Sequence, residues 1–461
     1  MNEVLTYSAT SQARLIRERK ISSVELVEAH LEQIAKVNPS INAVVEMLDA
    51  IPAAREADRT LSSESGPLHG VPFSIKDSIE VKGTVCTAGT LGRKSATAST
   101  EDAALVARLR AAGGIPIART NLPDLLFAFE SDNLLYGATN NPYDLTRTSG
   151  GSSGGEAALL ASCGSPLGLG SDCAGSVRVP AAFCGIASIK PTSGRLPRTG
   201  HFPPAGGWIE ALWQIGPMAR HVKDLVTVMP LLAGTDGIDP TCVSMPFHNP
   251  AALRPRDLRI AFYTDNGIAS ADGEVSQAVH AAAMVLAAEA RVEEARPECL
   301  EDAYELEMKL LGADGGDGLW QYLEMLGSTT VHPLLRGWVE KLEPYRTGVA
   351  GLQSYWAEWD AYRAEMFRFL RNWDVILCPA YTHAALPHGK SIEEENFHGF
   401  SHTMAYNLTG WPAAVVRCGE SSTGLPIAVQ VVSHPWREDV ALAVAGWLES
   451  ALGGWRAPMG L

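Results

Sequence analysis

The sequence predicts an α/β fold, a single large domain in which a β-sheet is covered by helices on both faces. Short apolar runs that suit buried strands alternate with stretches of helical periodicity. These elements are spread along the whole chain rather than gathered into blocks. With 461 residues, 46% of them hydrophobic and 19% charged, the chain can bury a substantial core without disulfide or metal staples. Length alone also admits two or three domains, so the even spread of elements decides for one.

In chain order, Ser22-Ser23-Val24-Glu25 reads as a capping box, and Val24, Val27, Leu31 and Ile34 follow at helical spacing. A helix is therefore expected from about Ser23 to Val37. A second, over about Ala53 to Leu61, runs into the polar loop Ser62-Ser63-Glu64-Ser65-Gly66-Pro67. Val71 to Ile75 then reads as a strand, Asp102 to Ala112 as a helix, and Ile115-Pro116-Ile117-Ala118 as the next strand. Glu156-Ala157-Ala158-Leu159-Leu160 opens a helix behind a Gly/Ser run. Leu258 to Tyr263, Val375 to Cys378, Ala413 to Val416 and Ile427 to Val432 are further strand-like runs, and Glu438 to Leu452 is a closing helix. The stretch from about Gly200 to Asn372 is less regular and carries Trp208, Trp213, Trp320, Tyr322, Trp338, Trp356, Trp359 and Tyr362. A single aromatic at helical spacing is ordinarily core; so many together point to an apolar substrate cavity.

A formal net charge of -15 argues against a nucleic acid partner, because such binding draws its affinity from clustered Lys and Arg. The acidic cluster Glu393-Glu394-Glu395 reads as a solvated face. The cysteines at 86, 163, 173, 184, 242, 299, 378 and 418 form no CxxC and no zinc-spaced set with His, which suits reduced, buried thiols. His383 and His388, five apart beside Pro387, read as a loop pair. No metal and no cofactor are expected. The N-terminus lacks a basic n-region and an apolar h-region, and nowhere do eighteen apolar residues run together. The expectation is a cytoplasmic protein without membrane insertion.

Three fragments carry chemistry. Lys76 ends the run Gly70-Val71-Pro72-Phe73-Ser74-Ile75, Ser152 opens the serine pair of Ser149-Gly150-Gly151-Ser152-Ser153-Gly154-Gly155, and Ser176 lies in Asp172-Cys173-Ala174-Gly175-Ser176-Val177-Arg178. Each alone has an ordinary reading as a solvated lysine, a flexible linker or a turn. A serine that attacks a carbonyl needs a base to take its proton, a proton for the leaving group and donors for the oxyanion. No His lies in these fragments and no Gly-x-Ser-x-Gly elbow surrounds Ser176, so Lys76 is the available base. For that role it must be neutral, with its pKa lowered well below the free value of about 10.4. Desolvation does this, and Val71, Phe73 and Ile75 supply apolar surroundings if Lys76 shares their side of the strand; alternation also allows the other face. Asp172 and Arg178 read as a structural ion pair that holds their loop. The small residues Cys173, Ala174, Gly175 and Ser176 let a carbonyl oxygen approach successive backbone N–H groups, as an oxyanion hole requires.

In this order, with the two serines 24 positions apart, the fragments resemble the Ser-cisSer-Lys site of the amidase signature family. The resemblance extends over nearly the whole chain, through Thr120-Asn121, Asn140-Asn141-Pro142-Tyr143-Asp144, Lys190-Pro191-Thr192, Gly216-Pro217-Met218-Ala219-Arg220, Gly410-Trp411-Pro412-Ala413 and Gly424-Leu425-Pro426-Ile427-Ala428-Val429-Gln430. It implies a mixed central sheet, a cis peptide bond before Ser152, Ser176 as nucleophile, and a proton relay from Ser176 through Ser152 to Lys76. It further implies that Leu126, Phe127 and Phe129 line the acyl-binding side. Ser149, Ala174 and Arg417-Cys418 depart from the family's common residues; Ala174 adds a methyl beside the oxyanion donors without removing an N–H.

The reading that results is an amidohydrolase for a small-molecule amide, hydrophobic or aryl because of those large side chains. Esters and carbamates pass through the same tetrahedral oxyanion and stay open as substrates. Within one domain spanning 1–461, residues 1–65 should hold N-terminal helices, 66–200 the catalytic core, 201–372 a variable specificity region, and 373–461 the rest of the core; a homodimer is compatible with this plan. One alternative is a glutaminase-type subunit of an amidotransferase. The stretch Ser401-His402-Thr403-Met404-Ala405-Tyr406-Asn407 lacks the acidic residue such subunits carry before their Asn-Leu-x-Gly run, which weighs against it. The other is a non-catalytic binding protein on the same fold.

Overall fold

The computed structural model describes residues 2–204, 206–207 and 210–459. Strands of this chain are short and mostly buried on both faces, so they need cover on both sides. They form β1 (Val44–Met47), β2 (Pro72–Lys76), β3 (Ile115–Thr120), β4 (Asn140–Asn141), β5 (Asp144–Thr148), β6 (Leu167–Asp172), β7 (Ala187–Lys190), β8 (Gln214–Ala219), β9 (Arg259–Phe262), β10 (Arg291–Glu294), β11 (Val375–Pro379), β12 (Ala413–Glu420) and β13 (Pro426–Ser433). Eleven of them make one sheet in the order β1-β3-β2-β6-β8-β7-β12-β13-β11-β9-β10, while β4 and β5 pair separately. β2 runs parallel to β3 and β6, β9 parallel to β10 and β11, and the central strands from β6 to β11 pair antiparallel. The sheet is thus mixed, and the fold is one domain.

The helices α1 (Ala9–Arg17), α2 (Ser23–Ile41), α3 (Ile51–Thr60), α4 (Ala104–Ala111), α5 (Gly154–Ala161) and α6 (Arg178–Phe183) divide between the faces. α1 and α4 join the core cluster that holds Phe73 and Ile75, with helices 222–232, 273–287 and 438–452. α2, α3 and α5 join the cluster on the opposite face with Ile117 and Ala118. α2 starts as its capping box dictates: Glu25 N–H donates to Ser22 Oγ at 3.1 Å, and Ser22 N–H donates to Glu25 Oε2 at 2.8 Å. It runs past Val37 to Ile41 and stops where Asn42 takes a left-handed conformation.

Two expectations are corrected. The stretch 200–372 is regular: helices 222–232, 273–287, 303–311, 317–325, 333–342 and 349–370 fill much of it, together with β8, β9 and β10. Of its named aromatics, Trp213 and Trp338 line the cavity described below, and the other described ones do not. Trp359 and Tyr362 are core, Trp320 and Tyr322 pack beside Leu125, and Trp356 is exposed, while Trp208 lies outside the described residues. No described helix is long and apolar enough to cross a membrane.

Candidate active site

The site lies at the C-terminal ends of the parallel neighbours β2 and β6. Strand alternation puts Val71, Phe73 and Ile75 on one side of β2, in the large core cluster, and sends Ser74 and Lys76 to the other, toward α5. Lys76 therefore does not share the side of its apolar neighbours. Its desolvation comes from the Gly/Ser loop and β6, which cover it completely. Lys76 Nζ donates to Ser152 Oγ at 2.6 Å and to Ser171 Oγ at 3.1 Å. Burial pushes the ammonium's pKa down to about 7 against the opposing pull of Asp172 and Glu156.

The loop that presents Ser152 is held by close backbone approach. A side chain at Gly151 would meet Glu130 N at 2.5 Å, and the Gly151–Ser152 peptide bond is cis. Ser131 Oγ donates to Ser152 O at 3.2 Å and accepts from Gly154 N–H at 2.8 Å. Ser153 N–H donates to Ser176 O at 3.1 Å, which ties the loop to the turn after β6.

In that turn Gly175 has φ +134°, and a Cβ there would lie 2.4 Å from Thr403 Oγ1. Asp172 and Arg178 form the expected ion pair, with Nε to Oδ2 at 3.0 Å and Nη2 to Oδ1 at 2.8 Å, both side chains fully buried. Asp172 also accepts Gly175 N–H at 2.9 Å and Val177 N–H at 3.1 Å. Of the four N–H groups expected to face a carbonyl oxygen, that of Gly175 is committed to a carboxylate, whereas those of Cys173, Ala174 and Ser176 have no acceptor among the described residues. Burial would raise the Asp172 carboxyl, but Arg178, Asn407 and Lys190 hold it down to about 2.

Several residues around the site escaped sequence reading. Asn407 Nδ2 donates to Asp172 Oδ1 at 2.9 Å, and Arg178 donates to Gln430 Oε1 at 2.7 Å and to Thr403 O at 2.9 Å. Asn407 and Gln430 sit in or beside C-terminal motifs already noted, so the signal was present without its partner. Glu156, read only as a helix start, is wholly buried and accepts from Thr120 Oγ1 at 2.8 Å and from Ser74 Oγ. Burial raises it to about 8 despite these hydroxyls and Lys76. Glu307, buried with neither carboxyl oxygen bonded to a described residue, is raised well above the usual range by burial; nothing in its helical context marks it.

A cavity of about 160 Å³ opens over these groups and is lined by Ser152, Ser171, Cys173, Ala174 and Ser176. Leu126 and Phe127 form part of its wall with Leu311 and Trp338, and His201 and Trp213 form another part. Phe129 does not reach it. Its ring stacks on Phe400 at 3.6 Å and packs against Trp338 and Phe397, so it is core behind the wall. Among the described residues no group of three or more His, Cys, Asp or Glu is placed to hold a metal.

The family model described as Amidase matches residues 25–442. Human "Fatty-acid amide hydrolase 2" is 31% identical over 99% of this chain and 91% of its own length. "6-aminohexanoate-cyclic-dimer hydrolase" of Pseudomonas sp. (strain NK87) is 33% identical over 97% of this chain and 95% of its own. A solved structure of 6-aminohexanoate cyclic dimer hydrolase superposes with a TM-score of 0.88 at 31% identity, covering 99% of both chains. With a match spanning most of its length and relatives that are named amide hydrolases, this chain belongs to the amidase signature family and is an amidase.

Proposed function

We propose that this amidase cleaves compact hydrophobic or aryl amides through an acyl-enzyme on Ser176. The observation that carries the reading is the 2.6 Å contact between Lys76 Nζ and Ser152 Oγ, wholly buried, on a cavity that Ser176 also lines. Neutral Lys76 takes the Ser152 hydroxyl proton while Ser152 takes that of Ser176, whose oxygen attacks the amide carbonyl. The N–H groups of Cys173, Ala174 and Ser176, without an acceptor among the described residues, are the candidate oxyanion donors. Collapse returns the proton from Lys76 through Ser152 to the leaving nitrogen, the amine departs, and water repeats the sequence to release the acid. Esters and carbamates fit the same course.

A cavity near 160 Å³ suits one aromatic ring or a short alkyl chain, since roughly 150 Å³ holds a benzene. Phe127, Leu126 and the segment 201–372, through Leu311 and Trp338, supply the apolar wall. The glutaminase reading is disfavoured, because the one charged side chain on the described wall, Asp172, is already paired with Arg178. The test is covalent labelling with a serine-directed fluorophosphonate followed by peptide mass analysis. The adduct is expected on Ser176, and Ser176→Ala should lose both labelling and turnover; an adduct on Ser152 or Ser153 would reverse the roles.

A further inference from the structure

The wall formed by His201 and Trp213 has no part in the relay. Their ring centroids lie 4.5 Å apart at 44°. The Arg198 guanidinium sits 5.0 Å from the Trp213 ring, and Arg198 is itself held by Asp239 and Glu210. The indole is thus in contact with both an imidazole and a fixed cation.

The state of His201 follows from its partners. Nδ1 lies 3.0 Å from Pro203 O, and a carbonyl only accepts, so Nδ1 bears the hydrogen. Burial pushes the ring's pKa down to about 3, partly opposed by that carbonyl and aided by Lys76 and Arg198. The ring is therefore neutral, and Nε2 is the bare nitrogen that accepts from Ser78 Oγ at 3.2 Å. With both nitrogens engaged, His201 offers the cavity an aromatic surface and no proton.

Position decides which half of the substrate meets this surface. The leaving nitrogen must receive its proton from Lys76 through Ser152, so it departs on the Lys76 side. His201 is anchored there, on Ser78 and by a β-bridge between residues 79 and 201, just beyond Lys76. Phe127 packs against the aromatic cluster around Trp338 and, with Phe202, against the cluster of Leu125 and Leu323, while Trp213 belongs to the central core.

We infer that His201 and Trp213 form the leaving-group wall and select an aromatic amine, as in an anilide, over ammonia or an alkyl amine. The inference rests on the Ser176 acyl-enzyme reading. Its test uses one acyl group presented as anilide, N-alkyl amide and primary amide, with kcat/KM measured for wild type, His201→Ala and His201→Phe beside their melting temperatures. His201→Ala should reduce the anilide-to-primary-amide ratio by about tenfold or more, and His201→Phe, which keeps a ring, should retain most of it. If His201→Ala does not fold, Trp213→Leu should show the same fall in ratio. An unchanged ratio, or equal losses on all three substrates, would overturn the assignment. Fluorophosphonate labelling of Ser176 needs no amine and separates the two readings: no adduct in wild type sinks the acyl-enzyme, whereas normal labelling with an unchanged ratio sinks the leaving-group wall alone.

Discussion

At the scale of residues, the proposed relay needs Lys76 in its uncharged form. Burial lowers Lys76 to about 7, with Asp172 and Glu156 opposing, so activity should climb as pH rises through that value. Lys76→Ala should cost about 10²- to 10⁴-fold in kcat/KM, and more on an amide than on its matched ester, because an amine needs protonation to depart. Equal losses on both substrates, or a wild-type profile flat from pH 6 to 8, would remove Lys76 from the relay. Lys76, Ser152 and Ser176 stood out in the sequence through the family resemblance of the fragments that carry them, and the fold sets Lys76 against Ser152 beneath a cavity that Ser152 and Ser176 line. The family resemblance groups Phe129 with Leu126 and Phe127, and only the ring cluster of Trp338, Phe397 and Phe400 distinguishes core from wall. His201 was passed over because it stands in none of the motifs.

At the scale of elements, the turn between β6 and α6 is shaped by the Asp172–Arg178 pair. Its carboxylate fixes two backbone N–H groups while its guanidinium reaches Thr403 and Gln430. Arg178→Met would leave a buried carboxylate without its cation, at a cost of about 3–5 kcal/mol. Thermal melting should show that loss, and fluorophosphonate labelling should slow because the turn carrying Ser176 loosens. A variant with unchanged melting temperature and labelling rate would contradict this account of the turn. The pair itself was readable from residues six apart. Its C-terminal partners were not, since Asn407 and Gln430 are more than two hundred positions away.

At the scale of the whole molecule, Lys76 links the chemistry to stability. It titrates near 7 in the folded protein and near 10.4 when unfolded. Between those values the unfolded chain binds the additional proton, so raising the pH through this window favours the native state. Below about 7 both states are protonated, and the native one bears the full cost of a buried ammonium. Whatever constant offset follows from its lost hydrogen bonds, Lys76→Met should therefore compare best with wild type below pH 7 and progressively worse toward pH 10. Denaturant midpoints for the two proteins across pH 6 to 10 measure this, and a pH-independent difference would mean that Lys76 keeps its ordinary pKa. The sequence by itself determined the alternation of strands and helices and the capped start of α2, because periodicity and capping are local properties, and the fragments around Lys76, Ser152 and Ser176 stood out in it by their family resemblance. Only the tertiary structure decided which face of β2 carries Lys76, that Gly175 N–H serves Asp172, that Phe129 is core and that His201 joins the cavity. Those outcomes depend on which surfaces meet across the eleven-stranded sheet, and burial of that kind is set by contacts between residues far apart in the chain.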